Sequence, residues 1–495
     1  MSPATALAAR DVAVIDIGSN SVRLVLYRLE GRAVWPLYNE KVLAGLGRDL
    51  SATGRLSPDG VVASMKALRR FAAVLEGVRP EHTLVAATAA VREAEDGQEF
   101  CERVAAETGL FIRVLSGEDE AHYAAMGVAS GAPGADGVSA DMGGASLELT
   151  RIDKGQVGKG VTLSLGAFSF GSKGFDVRKV REQADRRLGR VAGDFKTKRL
   201  YAVGGAWRNL AQVHMAMGAY PLKVVHQYAI PAREAREAAR FLARQSKASL
   251  DAMPGVSRKR AETLPFAAVV LDSLIDNLGL EEIEFSAWGV REGLLYDWLS
   301  DRVDGGDPLL SGCAALGARQ GVSPALPGAL QGWIDGLIRP LEPIFSEVRD
   351  AQLAAAACNL ADLGARLHPD HRVELTFDQV LRAPIPGQTH AERCFLAAAI
   401  NARYGGPAAT PEPATIERLL DEPARRRARV LGLAIRLACD LSGRSPNLLA
   451  NARARVEGGE LKLTAAEGFA DVLLGEQTRR RAKALAEAMD LSLAL

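Results

Sequence analysis

Asp16-Ile17-Gly18-Ser19-Asn20-Ser21 follows the apolar run Val12-Ala13-Val14-Ile15, and Asp141-Met142-Gly143-Gly144-Ala145-Ser146-Leu147-Glu148 follows Gly137-Val138-Ser139-Ala140 later in the chain. A strand that delivers an aspartate into small residues lets successive backbone N–H groups turn inward around an anion. Asp16 at such a strand end suits a hydrated Mg²⁺, and Asn20 and Ser21 add side-chain donors for phosphate oxygens. The plain alternative is a β-turn, because Asp, Gly, Ser and Asn are turn residues in any case. Recurrence of strand–Asp–x–Gly in the same context weighs against the plain reading. Two such loops facing each other across a cleft could clamp a phosphate chain, with Mg²⁺ neutralising it. Gly204-Gly205 follows Tyr201-Ala202-Val203 and opens a helix. A glycine-led helix N-terminus favours an anion, though a tight connection would look the same.

Around these loops the pattern is mixed α/β, and it starts twice. Residues 12–15, 23–29, 84–87 and 111–115 read as strands, with a turn at Glu30-Gly31-Arg32 leading into another. Residues 97–108 read as a helix closed by Gly109, and 118–128 as a second helix. The second unit has strands at 137–141, 147–152, 199–203 and 283–287, plus one ending at Leu163, and helices from Trp207 and over 291–299. The expected fold is therefore a duplicated α/β domain with a cleft between the halves. Beyond Asp304-Gly305-Gly306-Asp307-Pro308, a solvated linker, the chain turns Ala/Leu/Arg-rich and reads as helical, with a small hairpin around Gly458-Gly459.

Composition narrows the function classes. Lys+Arg (61) and Asp+Glu (60) nearly cancel, which argues against wholesale coating of nucleic acid or membrane while leaving room for a local basic groove. No apolar run approaches the roughly 18–20 residues that cross a bilayer. Residues 1–10 lack the charged and apolar regions of a signal peptide and read as a frayed tail. The five cysteines are scattered and never spaced as CxxC, so they read as reduced thiols of a cytoplasmic protein.

Several ordered motifs together resemble the exopolyphosphatase / guanosine-pentaphosphate phosphohydrolase (Ppx/GppA) phosphatase family. They are Asp16–Ser21, Ala86-Ala87-Thr88-Ala89-Ala90-Val91-Arg92-Glu93-Ala94, Ser116-Gly117-Glu118-Asp119-Glu120-Ala121, the Asp141–Glu148 block and Gly289-Val290-Arg291-Glu292-Gly293-Leu294-Leu295. The resemblance covers residues 11–300. It implies actin-like (ASKHA, ribonuclease H-like) domains at 11–130 and 131–302, followed by an all-α, degenerate HD-like domain at 303–495. It also implies a Mg²⁺ (or Mn²⁺) requirement and a homodimer.

The site residues come from the same source. Glu120 matches the family's water-activating glutamate, whereas composition alone would let Glu118, Asp119 and Glu120 simply complement a helix dipole. Glu148 matches a second acidic position, Asp141 and Asp16 match metal positions, and Arg92 matches a residue that grips the polyanion. Gly18, Ser19, Asn20, Ser21, Gly143, Gly144, Ala145, Ser146, Gly204 and Gly205 complete the expected phosphate site. Ala145 stands where a glycine is usual, tolerable only with negative φ. Leu147 replaces a threonine, and Gly204-Gly205-Ala206-Trp207 replaces a Ser-Gly-Thr-like segment.

In the C-terminal region Ala361 precedes Asp362, where the histidine of an HD pair would stand, and His368, His371 and His390 are nearby. Basic clusters at Arg425-Arg426-Arg427-x-Arg429 and Arg479-Arg480-Arg481-x-Lys483 read either as solvated helix faces or as a track for a long polyanion. The function expected is Mg²⁺-dependent removal of terminal phosphate from inorganic polyphosphate. Conversion of guanosine pentaphosphate to tetraphosphate is the close alternative. An actin-like ATPase or kinase, or a non-catalytic polyphosphate-binding protein, stands further off.

Overall fold

The computed structural model describes residues 9–170, 174–300, 306–318, 320–321 and 323–495. The tail expected at 1–10 falls almost wholly outside the described residues, as do Asp304 and Gly305 of the expected linker. The chain forms two compact units, Ala9–Gly305 and Gly306–Leu495.

The first unit holds two sheets built on one plan. β1 (Arg10–Ile17), β2 (Val22–Glu30) and β3 (Ala33–Val42) form an antiparallel meander, and β4 (His82–Ala87) and β5 (Arg113–Val114) add parallel strands, in the order β3-β2-β1-β4-β5. β6 (Gly137–Met142), β7 (Leu147–Asp153) and β8 (Gln156–Leu163) repeat the meander. β9 (Arg199–Val203) runs parallel to β6, followed outward by β11 (Glu282–Phe285) and β10 (Tyr228–Pro231). This is the duplicated actin-like arrangement. The strand expected at 111–115 shortens to two residues, because only Arg113 and Val114 pair with β4.

Alternation explains which side chains reach the cleft. On β1, Ala13, Ile15 and Ile17 enter a core shared with the Pro58–Val78 and Gly97–Thr108 helices. Val12 and Val14 enter the opposite core, with Tyr123, Leu294 and Leu295, and Asp16 is next on that face. On β6 and β7, Val138, Ala140, Met142, Leu147 and Leu149 face the large second core, so Asp141 and Glu148 point the other way. Each fully buried leucine or isoleucine in these layers stabilises the fold by roughly 1.5–3 kcal/mol.

Two helices complete the unit. The Gly117–Gly131 helix lies on β7 and β8, where Thr150 and Thr162 donate to the carbonyls of Ala121 (3.0 Å) and Gly117 (3.1 Å). The Val290–Ser300 helix packs on that helix and on β1, so the last segment of the second half contributes core to the first sheet. The two helices approach through glycine. A Cβ on Gly293 would lie 1.9 Å from the Tyr123 carbonyl oxygen, and one on Gly127 would lie 2.1 Å from that of Gly289.

The second unit is mainly helical. The Glu422–Ser442 helix is buried against His390–Arg403, and the expected hairpin is present as β12 (Ala452–Glu457) and β13 (Glu460–Ala465), with β14 (Ser492–Ala494) paired to β13. Much of its basic character is spent internally. Arg427 pairs with buried Asp350 at 3.1 Å, Arg481 with Asp440 at 2.9 Å, and Arg426 with Asp490. His368 and His371 are exposed, His390 is buried in the first turn of its helix, and Asp362 pairs with Arg444 at 3.5 Å. No described helix is long and apolar enough to cross a membrane.

Candidate active site

The loops after β1 and β6 meet at a cavity of about 470 Å³ in the first unit. The Gly18–Ser21 turn is closed by the Gly18 N–H donating to the Ser21 carbonyl at 3.0 Å, and the 143–146 turn by Gly143 donating to Ser146 at 2.9 Å. They come close enough that a Cβ on Gly144 would lie 3.3 Å from the Ser19 Cβ. Gly18, Ser19, Asn20, Ser21, Gly143, Gly144, Ser146, Gly204 and Gly205 all line the cavity, with Asp16, Glu120, Asp141 and Glu148. Gly204 opens its helix at φ +107°, beside the Met142 carbonyl, where a Cβ would come within 2.5 Å of that oxygen.

The carboxylates are placed by register. Asp141 and Glu148 are direct cross-strand partners on β6 and β7 and therefore share a face. The Gly117–Gly131 helix docks on that same face and brings Glu120 to them. Its N-terminus is fixed by a capping box, in which Ser116 Oγ accepts from the Asp119 N–H at 3.0 Å and Asp119 accepts from the Ser116 N–H at 3.2 Å. Asp119 is thus a cap and Glu118 is exposed, while Glu120 turns inward.

Burial raises the pKa of Glu120, Asp141 and Glu148, and the acids raise one another. Asp141 is pushed up to about 7 by burial and then by Glu120 and Asp16. Glu148 rises well above the usual range through burial and then Glu120 and Asp141, and its Oε1 is buried without a hydrogen-bond partner. Glu120 rises through burial, opposed by Arg92. Asp16 accepts from Arg291 Nη1 at 3.1 Å.

Two expected phosphate ligands stand elsewhere. Arg92 is not in the cavity wall. It donates to Glu120 (3.1 Å) and to the Leu115 carbonyl (2.9 Å), while Ala89, at the start of its short helix Ala89–Glu93, is the residue of that helix that lines the cavity. Ala145 also leaves the wall. Its φ is not positive, as its methyl requires, and its carbonyl accepts from the Gly166 N–H at 3.0 Å.

Residues that sequence reasoning missed also line the cavity: Arg23, Lys41, Arg208 and Arg260, together with Arg291 of the Gly289–Leu295 motif. Among the described residues none of the first four has a carboxylate within 4.0 Å. Crowding by the cleft walls lowers the pKa of all four, and neighbouring cations add to it: Arg291 beside Arg23 and Arg208, Arg208 beside Arg260, and Arg260 and Arg23 beside Lys41, which falls to about 7. Unmatched positive charge of this kind is an anion site. A cavity that combines buried acids with cations lacking carboxylate partners suits hydrolysis of a polyanion.

The comparisons agree. The pattern of the Ppx/GppA phosphatase family matches residues 11–302, and that described as the exopolyphosphatase C-terminal region matches residues 340–495. A Ppx/GppA family member from Aquifex aeolicus is 24% identical and superposes with a TM-score of 0.53, covering 60% of this chain and 100% of that one. An exopolyphosphatase from Cytophaga hutchinsonii is 20% identical with a TM-score of 0.56, covering 60% and 99%. At those identities the structures speak for the fold, and the family match speaks for the chemistry: this chain belongs to the Ppx/GppA phosphatase family and is a phosphoanhydride hydrolase.

Proposed function

We propose that the chain is an exopolyphosphatase, hydrolysing the terminal anhydride of inorganic polyphosphate to orthophosphate. The observation that carries this reading is one cavity lined both by three mutually repelling acids and by four cations that, among the described residues, have no carboxylate within 4.0 Å. Anhydride hydrolysis needs a placed water, charge neutralisation and in-line geometry more than covalent chemistry. Glu120 takes the proton from the attacking water. Arg92 steadies Glu120 from outside the cavity. The Gly18–Ser21 and Gly143–Ser146 turns, with Gly204 and Gly205, offer N–H groups to the phosphate oxygens, and Arg23, Lys41, Arg208 and Arg260 hold the chain.

The donor set fits a hard divalent cation. Clustered carboxylates with raised proton affinity, and Glu148 Oε1 without a partner, are groups that a cation would satisfy. No three His, Cys, Asp or Glu among the described residues form a ready cage. That suits Mg²⁺ (or Mn²⁺), which binds through one or two carboxylates plus phosphate oxygens and water. Asp141 and Asp16 would hold it, and bound there it would neutralise the anhydride. A homodimer and a cytoplasmic location complete the reading, the latter in keeping with five unpaired cysteines.

The test is phosphate release by the purified chain with Mg²⁺ from long-chain polyphosphate, guanosine pentaphosphate and ATP side by side. Fastest release from the long chain supports the proposal. A preference for guanosine pentaphosphate or ATP contradicts it.

A further inference from the structure

The three meander strands of the two sheets correspond in order, and so do their facing residues. In the second sheet Asp141, Glu148 and Thr162 are successive cross-strand partners. In the first, the corresponding row is Asp16, Arg23 and Lys41. The third position has opposite fates in the two halves. Thr162 is used structurally, donating to the Gly117 carbonyl at 3.1 Å and seating the Glu120 helix. Lys41 seats nothing and lines the cavity. Neighbouring strands lie about 4.8 Å apart, so the row carries Lys41 two steps, about 10 Å, outward from Asp16.

We propose that Lys41 is a substrate-binding residue that holds a phosphate of the polyanion beyond the anhydride being cleaved, and so favours long chains. The inference rests on the exopolyphosphatase reading. Among the described residues Lys41 has no carboxylate within 4.0 Å, and its charged neighbours are Arg260, Arg23 and Arg291 against the single acid Asp16. Burial first, and then the neighbouring Arg260 and Arg23, lower its pKa to about 7, so a lysine placed there is unfavourable until an anion joins it. The anion is phosphate rather than the base of a nucleotide. Among the described lining residues Phe168 is the sole aromatic ring, and it lies against Gly144, on the other loop. Asn39, which accepts from Arg23 Nε at 2.8 Å, holds the middle cation of the row in place.

The test compares KM and kcat of the full chain, Lys41→Met and Lys41→Arg on tripolyphosphate and on long-chain polyphosphate with Mg²⁺. Lys41→Met raises KM for the long chain about tenfold, the worth of one charge-assisted hydrogen bond. The rise is smaller for tripolyphosphate, kcat changes little, and Lys41→Arg restores KM. A melting curve shows that each variant is folded. Equal KM values for Lys41→Met and the parent on the long chain overturn the proposal, as does a rise of the same size on both substrates or a failure of Lys41→Arg to restore KM. If the parent releases no phosphate from polyphosphate, the exopolyphosphatase reading fails and takes this one with it. If the parent is active and Lys41→Met matches it, only the role of Lys41 fails.

Discussion

Arg92 reaches Glu120 from outside the cavity, Nη1 to Oε2 at 3.1 Å, while the same nitrogen is held by the Leu115 carbonyl. The guanidinium opposes the effect of burial on Glu120, keeping its proton affinity lower than it would otherwise be. Removing Arg92 therefore raises the pKa of Glu120 further. A base must be deprotonated to act, so in Arg92→Met the acidic limb of the kcat/KM profile moves to higher pH. An unmoved limb with only KM raised would return Arg92 to gripping the polyanion.

The stability of the metal-free protein depends on pH through Asp141. Its pKa rises from 3.8 to about 7 on folding. Between those values the folded chain keeps a proton that the unfolded chain has lost, so stability falls as pH rises across that window. In chelator, the melting temperature should drop from pH 5 to pH 7.5, and Asp141→Asn should flatten the drop. Mg²⁺, which binds the deprotonated acids, should recover stability at the upper end. A drop as steep in Asp141→Asn as in the parent counts against the assignment.

Gly293 sets the approach of the helix that carries Glu120. A Cβ there would sit 1.9 Å from a backbone oxygen, which cannot swing aside as a side-chain tip can. Gly293→Ala should cost about 1–3 kcal/mol of stability in urea titration. Because the displaced Gly117–Gly131 helix holds the base, kcat should fall even where the variant is fully folded. An unchanged urea midpoint would mean that the helices part without cost.

The sequence exposed the acids and glycines of the site far better than its cations. Asp16, Asp141 and the glycines around them are legible because strand–Asp–x–Gly is a local pattern and it occurs twice. Glu120 could be told from Glu118 and Asp119 only through the family register, and the physical reason is the capping box that occupies Asp119. The cations left no local pattern, because Arg23, Lys41, Arg208 and Arg260 come from four separate segments. One signal was available: Arg23 interrupts the otherwise apolar start of its strand, Val22-x-Leu24-Val25-Leu26, and such an interruption asks for a purpose. Spacing does not tell whether a basic residue near an acidic cluster faces substrate or acid, and Arg92, expected to grip the polyanion, bonds Glu120. The 58–78 helix, long and amphipathic, was overlooked beside the motifs, as it carries none.

The most direct test is Glu120→Gln, with turnover of long-chain polyphosphate and equilibrium binding measured together in Mg²⁺. A general base in contact with the attacking water is worth about two to four powers of ten in rate. The predicted result is turnover lower by that factor with binding retained, since the amide keeps the shape and loses only the basicity. Parental turnover in Glu120→Gln would contradict the assignment of the base and with it the division of roles between water-activating acids and chain-holding cations.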